Sequence, residues 1–154
     1  MPTTITRANF PKDENGNPYR PVFTVAVDTA GNAPSWSLAS TPINATSGNV
    51  AAASAVATLA AAAGKTTYIT GFDITGGGAT AASVVTATVT GLLGGTQSYT
   101  IAVPAGATLG ITPLFVSFPT PYPASAVNTA IVVTVPSLGA GNTNTVANAR
   151  GFQA

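Results

Sequence analysis

Val85-Thr86-Ala87-Thr88-Val89-Thr90 and Ser98-Tyr99-Thr100-Ile101-Ala102-Val103, joined through Leu92-Leu93-Gly94-Gly95, decide the fold. Val85, Ala87 and Val89 alternate with threonines, and Tyr99, Ile101 and Val103 alternate with Ser98, Thr100 and Ala102. A period of two puts one set of side chains on a core and the other outside. Leu92-Leu93-Gly94-Gly95 between the runs predicts a turn, and Pro104-Ala105-Gly106 predicts the next.

The same reading extends in both directions. Tyr68, Thr70, Phe72 and Ile74 are expected on one face, with Thr67, Gly71, Asp73 and Thr75 on the other. Leu114, Val116 and Phe118 oppose Phe115 and Ser117, and Ile131, Val133 and Val135 oppose Val132 and Thr134. Towards the start, Phe23, Val25 and Val27 alternate with Val22, Thr24 and Ala26, and Ser35 to Leu38 reads as a short strand carrying Trp36. Thr41 to Asn49 and Thr120 to Pro123 read as loops, and the residues after Asn144 as a polar tail ending in Arg150 to Ala154. The alanine-rich run Val50 to Ala63 favours helix on propensity. Its neighbours favour strand, and a strand is assigned around Ala55 to Ala60. About eight short strands bounded by Gly, Pro or Asn predict an all-β protein, an antiparallel β-sandwich of jelly-roll type.

Residues 1–21 differ from the rest of the chain. They hold Pro2, Pro11, Pro18 and Pro21 and the turn-rich stretch Asp13 to Pro18, with no apolar period. The expected organisation is an extended N-terminal arm over 1–21 and a β-sandwich domain over 22–154. A floppy terminus is the competing reading of the arm. Phe10, Tyr19 and Arg20, with Trp36, are the expected protein-contact residues, because aromatic and arginine side chains anchor interfaces.

Charge narrows the function. The 154 residues contain five Lys and Arg, four Asp and Glu, no histidine and no cysteine. A Ser-His-Asp arrangement has no imidazole here, and no thiolate metal site or disulfide framework exists. Near-neutral charge gives no basic track for nucleic acid. The N-terminus lacks an apolar secretory stretch, and the run from Val50 to Ala63 is too short and too weakly apolar to span a bilayer. The expectations are no enzyme activity, no cofactor, no metal, no membrane, no nucleic acid and no small-molecule substrate. The outer strand faces are Thr and Ser rather than Lys and Glu, so the usual guard against edge pairing is missing and a homo-oligomer is expected.

Several short motifs invite a chemical reading. Ala60 to Thr66 ends like a phosphate-binding loop, but Leu59 stands where the first glycine is needed, so it reads as a turn. Asp13, Asn15 and Asn17 lack the glycine and glutamate spacing of a calcium loop. Asp28 and Asp73 are not brought together by the sequence as a glycosidase pair. Asp73 is expected to pair with Lys65 or Arg150, or to cap a backbone amide. Exposed aromatics such as Trp36 or Tyr122 would serve a carbohydrate-binding module. The shortage of Asp, Glu, Arg and His weighs against strong sugar recognition.

Gly64-Lys65-Thr66-Thr67-Tyr68-Ile69-Thr70-Gly71-Phe72-Asp73-Ile74-Thr75-Gly76 and Pro136 to Asn144 resemble small virion structural proteins of tailed bacteriophages. The resemblance covers residues 64–154 and is one of composition and style; it carries no functional residue over. It implies a capsid decoration (cement) protein, a trimer bound to the major capsid protein on the capsid surface of the virion. Neck, head-fibre and tail components share the same style.

Overall fold

A computed structural model describes residues 40–106 and 110–154 in full, together with the backbone of Thr3–Thr4 and Ala26–Val27. The chain divides into two compact units, Met1–Ala39 and Ser40–Ala154. In the first, β1 (Thr3–Thr4) pairs antiparallel with β2 (Ala26–Val27). The rest of the expected arm and the expected strand at Ser35 to Leu38 lie outside the described residues.

The second unit is all-β, and no helix occurs among the described residues. Its strands are β3 (Thr41–Thr46), β4 (Ala55–Leu59), β5 (Thr67–Gly77), β6 (Ser83–Thr90), β7 (Gln97–Val103), β8 (Leu114–Pro123), β9 (Ile131–Val135) and β10 (Asn144–Gln153). They form two antiparallel four-stranded sheets, ordered β3-β10-β5-β8 and β4-β9-β6-β7. The pairing is nested. β6 pairs with β7, β5 with β8, β4 with β9 and β3 with β10, as if residues 41–153 were one long hairpin closed at the β6–β7 turn. The β10–β5 and β9–β6 ladders then join successive layers of that hairpin into the two sheets.

One hydrophobic cluster draws on both sheets. It takes Ile69, Phe72, Ile74, Ala147 and Ala149 from the first, and Leu59, Val89, Ile101, Ile131, Val133 and Val135 from the second. The Phe72 ring on β5 meets the Tyr99 ring on β7 edge to face, centroids 5.0 Å apart. This geometry suits the aromatic quadrupole and ties the two sheets through the core. At Gly91, which has φ of +83°, a side chain would run into the Ala130 carbonyl, so the end of β6 can approach the start of β9 only with glycine there.

The two decisive runs form strands as their alternation predicts, with Ala87, Val89, Ile101 and Val103 buried. Ala55–Leu59 is a strand, paired with β9 in register and burying Ala55, Ala57 and Leu59. Four expectations are corrected. Thr41–Thr46 is strand β3, because β10 offers it a partner edge. The stretch Thr120 to Pro123 belongs to β8, an edge strand, where proline removes a donor that no neighbour needs. The expected polar tail is β10, hydrogen-bonded on both sides, with Thr145, Ala147, Ala149 and Gln153 turned inward. Finally, Tyr68 and Thr70 do not share a face with Phe72 and Ile74. The ladder skips Thr70, so Ile69 and Phe72 both face the core, and the Thr70 hydroxyl donates to the Arg150 carbonyl at 3.1 Å. Such an extra residue shifts alternation by one position.

Candidate functional site

The outer face of the β3-β10-β5-β8 sheet gathers the charged and amide side chains that the sequence keeps apart. Register sets them in rows across four strands. Thr46, Asn148, Asp73 and Phe115 form one row, and Asn44, Arg150, Gly71 and Ser117 the next. A third row runs Pro42, Phe152, Tyr68 and Pro123, in which the Phe152 and Tyr68 rings stack with centroids 4.8 Å apart. Gly71 leaves the middle of the second row without a side chain, and a Cβ there would sit 2.6 Å from the Val116 carbonyl oxygen.

Asp73 is the centre. It points away from Phe72 and Ile74, yet only 6% of it is exposed. Its Oδ2 accepts from Asn148 Nδ2 at 2.8 Å and its Oδ1 from the Arg150 guanidinium. The expected Asp73–Arg150 pairing therefore forms, and Lys65 instead donates to Thr41 Oγ1 at 3.0 Å. The Arg150 side chain as a whole is more than half exposed. A carboxylate this buried is held by donors, since desolvating an unpaired charge is costly. Asn44, Thr46, Asp73, Phe115, Asn148 and Arg150 line an open recess of about 560 Å³. A second recess of about 360 Å³ lies on the other side of Arg150, against Pro42, Thr70 and Gly151. Phe115, beside Asp73 in the first row, is 70% exposed.

Asp73 is the sole side-chain carboxylate in residues 40–154. Among the described residues, the recess holds one acid where glycoside hydrolysis uses two. Among the described residues, no three His, Cys, Asp or Glu side chains converge on a metal position. What the arrangement offers is fixed hydrogen-bond donors and acceptors beside an apolar ring, with zero net charge.

The sequence-derived contact residues Phe10, Tyr19, Arg20 and Trp36 lie outside the described residues, as do Asp13, Asn15, Asn17 and Asp28. Tyr122, the other candidate stacking group, packs edge to face on Phe118 at 5.1 Å. Reading the sequence alone misses Phe115, Asn148 and Asn44. Phe115 is visible there as the one large aromatic on the outward set of its strand; Asn148 and Asn44 fall in segments that read as tail and loop. No protein-family model, no curated protein and no solved structure matches the chain.

Proposed function

We propose that this chain is a structural virion protein of a tailed bacteriophage, of the capsid decoration (cement) type, acting as a homo-oligomer on the major capsid protein. The nested pairing of eight strands into orders β3-β10-β5-β8 and β4-β9-β6-β7 is read here as a jelly-roll sandwich, a fold well suited to shells and their coats.

The observation that carries the functional reading is the surface of the second unit. Residues 40–154 hold three charged side chains, Lys65, Asp73 and Arg150, and two of these neutralise each other. None lies on the edge strands β3, β4, β7 or β8. Val84, Leu93 and Val127 are exposed. A solitary protein with such a surface has little to oppose association. A component of a permanent assembly is covered by its neighbours, and contacts with so few charges tolerate salt. A trimer suits the reading, with residues 1–21, through Phe10, Tyr19 and Arg20, serving as the arm that engages the shell. Three weak arms would add through effective concentration.

Quantitative mass spectrometry of purified virions from a phage encoding this chain tests the proposal. A copy number comparable with that of the major capsid protein is expected. A small fraction of that number would move the chain to the neck, head fibre or tail, and absence from particles would overturn the virion reading.

A further inference from the structure

We infer that the recess around Asp73 on the β3-β10-β5-β8 sheet is a binding site for a neutral saccharide. The inference goes beyond the virion reading and stands on the geometry of this face alone.

Sugars ask two things of a protein surface. Their hydroxyls need planar groups that accept and donate in fixed directions, and their C–H faces need an apolar plate. The recess supplies both from rigid strands. Asp73 uses one lone pair of each oxygen, on Asn148 and on Arg150, and an ionised carboxylate has about four acceptor positions. Asn148, Asn44 and the exposed part of Arg150 provide amide and guanidinium donors around it. Phe115 stands next to Asp73 across the β5–β8 ladder, its ring largely open to solvent. The slightly positive C–H groups of a pyranose match the negative face of that ring. The volume, about 560 Å³, falls within the range of about 300–1,000 Å³ usual for small-ligand sites.

The charge balance selects the ligand class. Arg150 is met by Asp73, so the site offers no net positive field to a phosphate, sulfate or acidic sugar, and no net negative field to a cation. A hydroxyl-rich neutral ligand loses least on entering and finds Asp73, Asn148 and Arg150 already oriented by one another. The scarcity of charged residues in the sequence does not count against this, because the fold concentrates an acid, a guanidinium, two amides and an aromatic in two neighbouring rows.

The test is saturation-transfer NMR on the full chain. The probes are the methyl glycosides of glucose, galactose, mannose and N-acetylglucosamine at about 10 mM, a concentration that detects millimolar affinity. Longer neutral oligosaccharides of the same sugars form a second arm. Transfer to at least one probe is expected, strongest on the ring protons of one sugar face. Transfer to a methyl glycoside marks a site for a single terminal sugar; transfer only to the longer chains marks a site for a polysaccharide, and either supports the inference. Phe115→Ala and Asn44→Ala change exposed residues, and each is expected to weaken binding by about tenfold. Val84→Ala, an exposed position on the other sheet, is expected to leave it unchanged. No transfer to any probe, or transfer that survives both Phe115→Ala and Asn44→Ala, would overturn the site.

Discussion

Asn142 does more for the second unit than its place in a Gly-rich turn announces. It is 2% exposed. Its amide nitrogen donates to the Gly77 and Asn144 carbonyls, both at 3.0 Å, and its oxygen accepts from the Thr145 hydroxyl at 2.9 Å. One side chain thus ties the end of β5 to the β9–β10 turn. Asn142→Ala strands the buried Thr145 hydroxyl and the Leu138 N–H, which donates to the same oxygen at 3.4 Å, while the Gly77 carbonyl keeps the Thr143 N–H, so a loss of about 2–4 kcal/mol is expected. Urea unfolding should show a lower midpoint with an unchanged slope. Tyr99 gives a pH dependence. Its hydroxyl donates to Gln97 Oε1 at 2.6 Å, and burial, then the nearby Tyr122, raises its pKa above the ordinary 10.0. The folded state therefore prefers the neutral ring. That contribution is complete below the unfolded value of 10.0 and is lost as pH rises through the higher folded value. Tyrosinate absorbance should show a late-titrating component that Tyr99→Phe removes, and the variant should lose less stability than the parent above that pH.

At the scale of elements, β10 is the strand on which the first sheet depends. It carries the ladders to β3 and β5 and supplies Ala147 and Ala149 to the shared core. A chain ending at Thr143 is expected to lose cooperative unfolding altogether, seen as a flat urea curve by intrinsic fluorescence. A dispensable tail would leave the transition in place. The sequence does not show this strand, and the reason is physical. Strands β6, β7 and β9 mark their inward positions with Val and Ile beside Thr, so period two is plain. In β10 the inward positions are Thr145, Ala147, Ala149, Gly151 and Gln153, and the outward ones include Val146 and Phe152, which inverts the usual contrast. β3 fails for a similar reason, with Pro42 and Asn44 outward and only Ile43 and Ala45 packed on the core. In β5 the alternation reads correctly at Phe72 and Ile74, but the skipped Thr70 reverses it upstream. The candidate site suffers most. Asp73 with Arg150 is readable as a charge pair, because few alternatives exist. Asn44, Phe115 and Asn148 join it only through the register of four strands, which no local pattern encodes.

At the scale of the molecule, the four edges of the two sheets in residues 40–154 differ in their protection. β3 contains Pro42, and β8 contains Pro119, Pro121 and Pro123, which interrupt the row of free donors. β4 is five residues long and lies against β3. β7 has neither proline nor charge over Gln97–Val103, and its outward Ser98, Thr100 and Ala102 continue onto the exposed Val84 opposite Ala102. It is the edge most ready to accept another chain. Light scattering across roughly 1–100 µM protein, the range of ordinary specific association, should give masses above the 15.1 kDa of one chain. Because no ion pair is available on this edge, raising salt from about 0.1 M to about 1 M, which shortens the screening length several-fold, should not dissociate the assembly. Thr100→Lys puts a charge on an exposed position and should shift the mass towards one chain while changing stability by less than about 0.5 kcal/mol. A single-chain mass at every concentration, or an assembly indifferent to Thr100→Lys, would remove β7 as the contact. Thr86→Lys, on the paired strand β6, tests whether charge on that face, rather than at its edge, is what separates the copies.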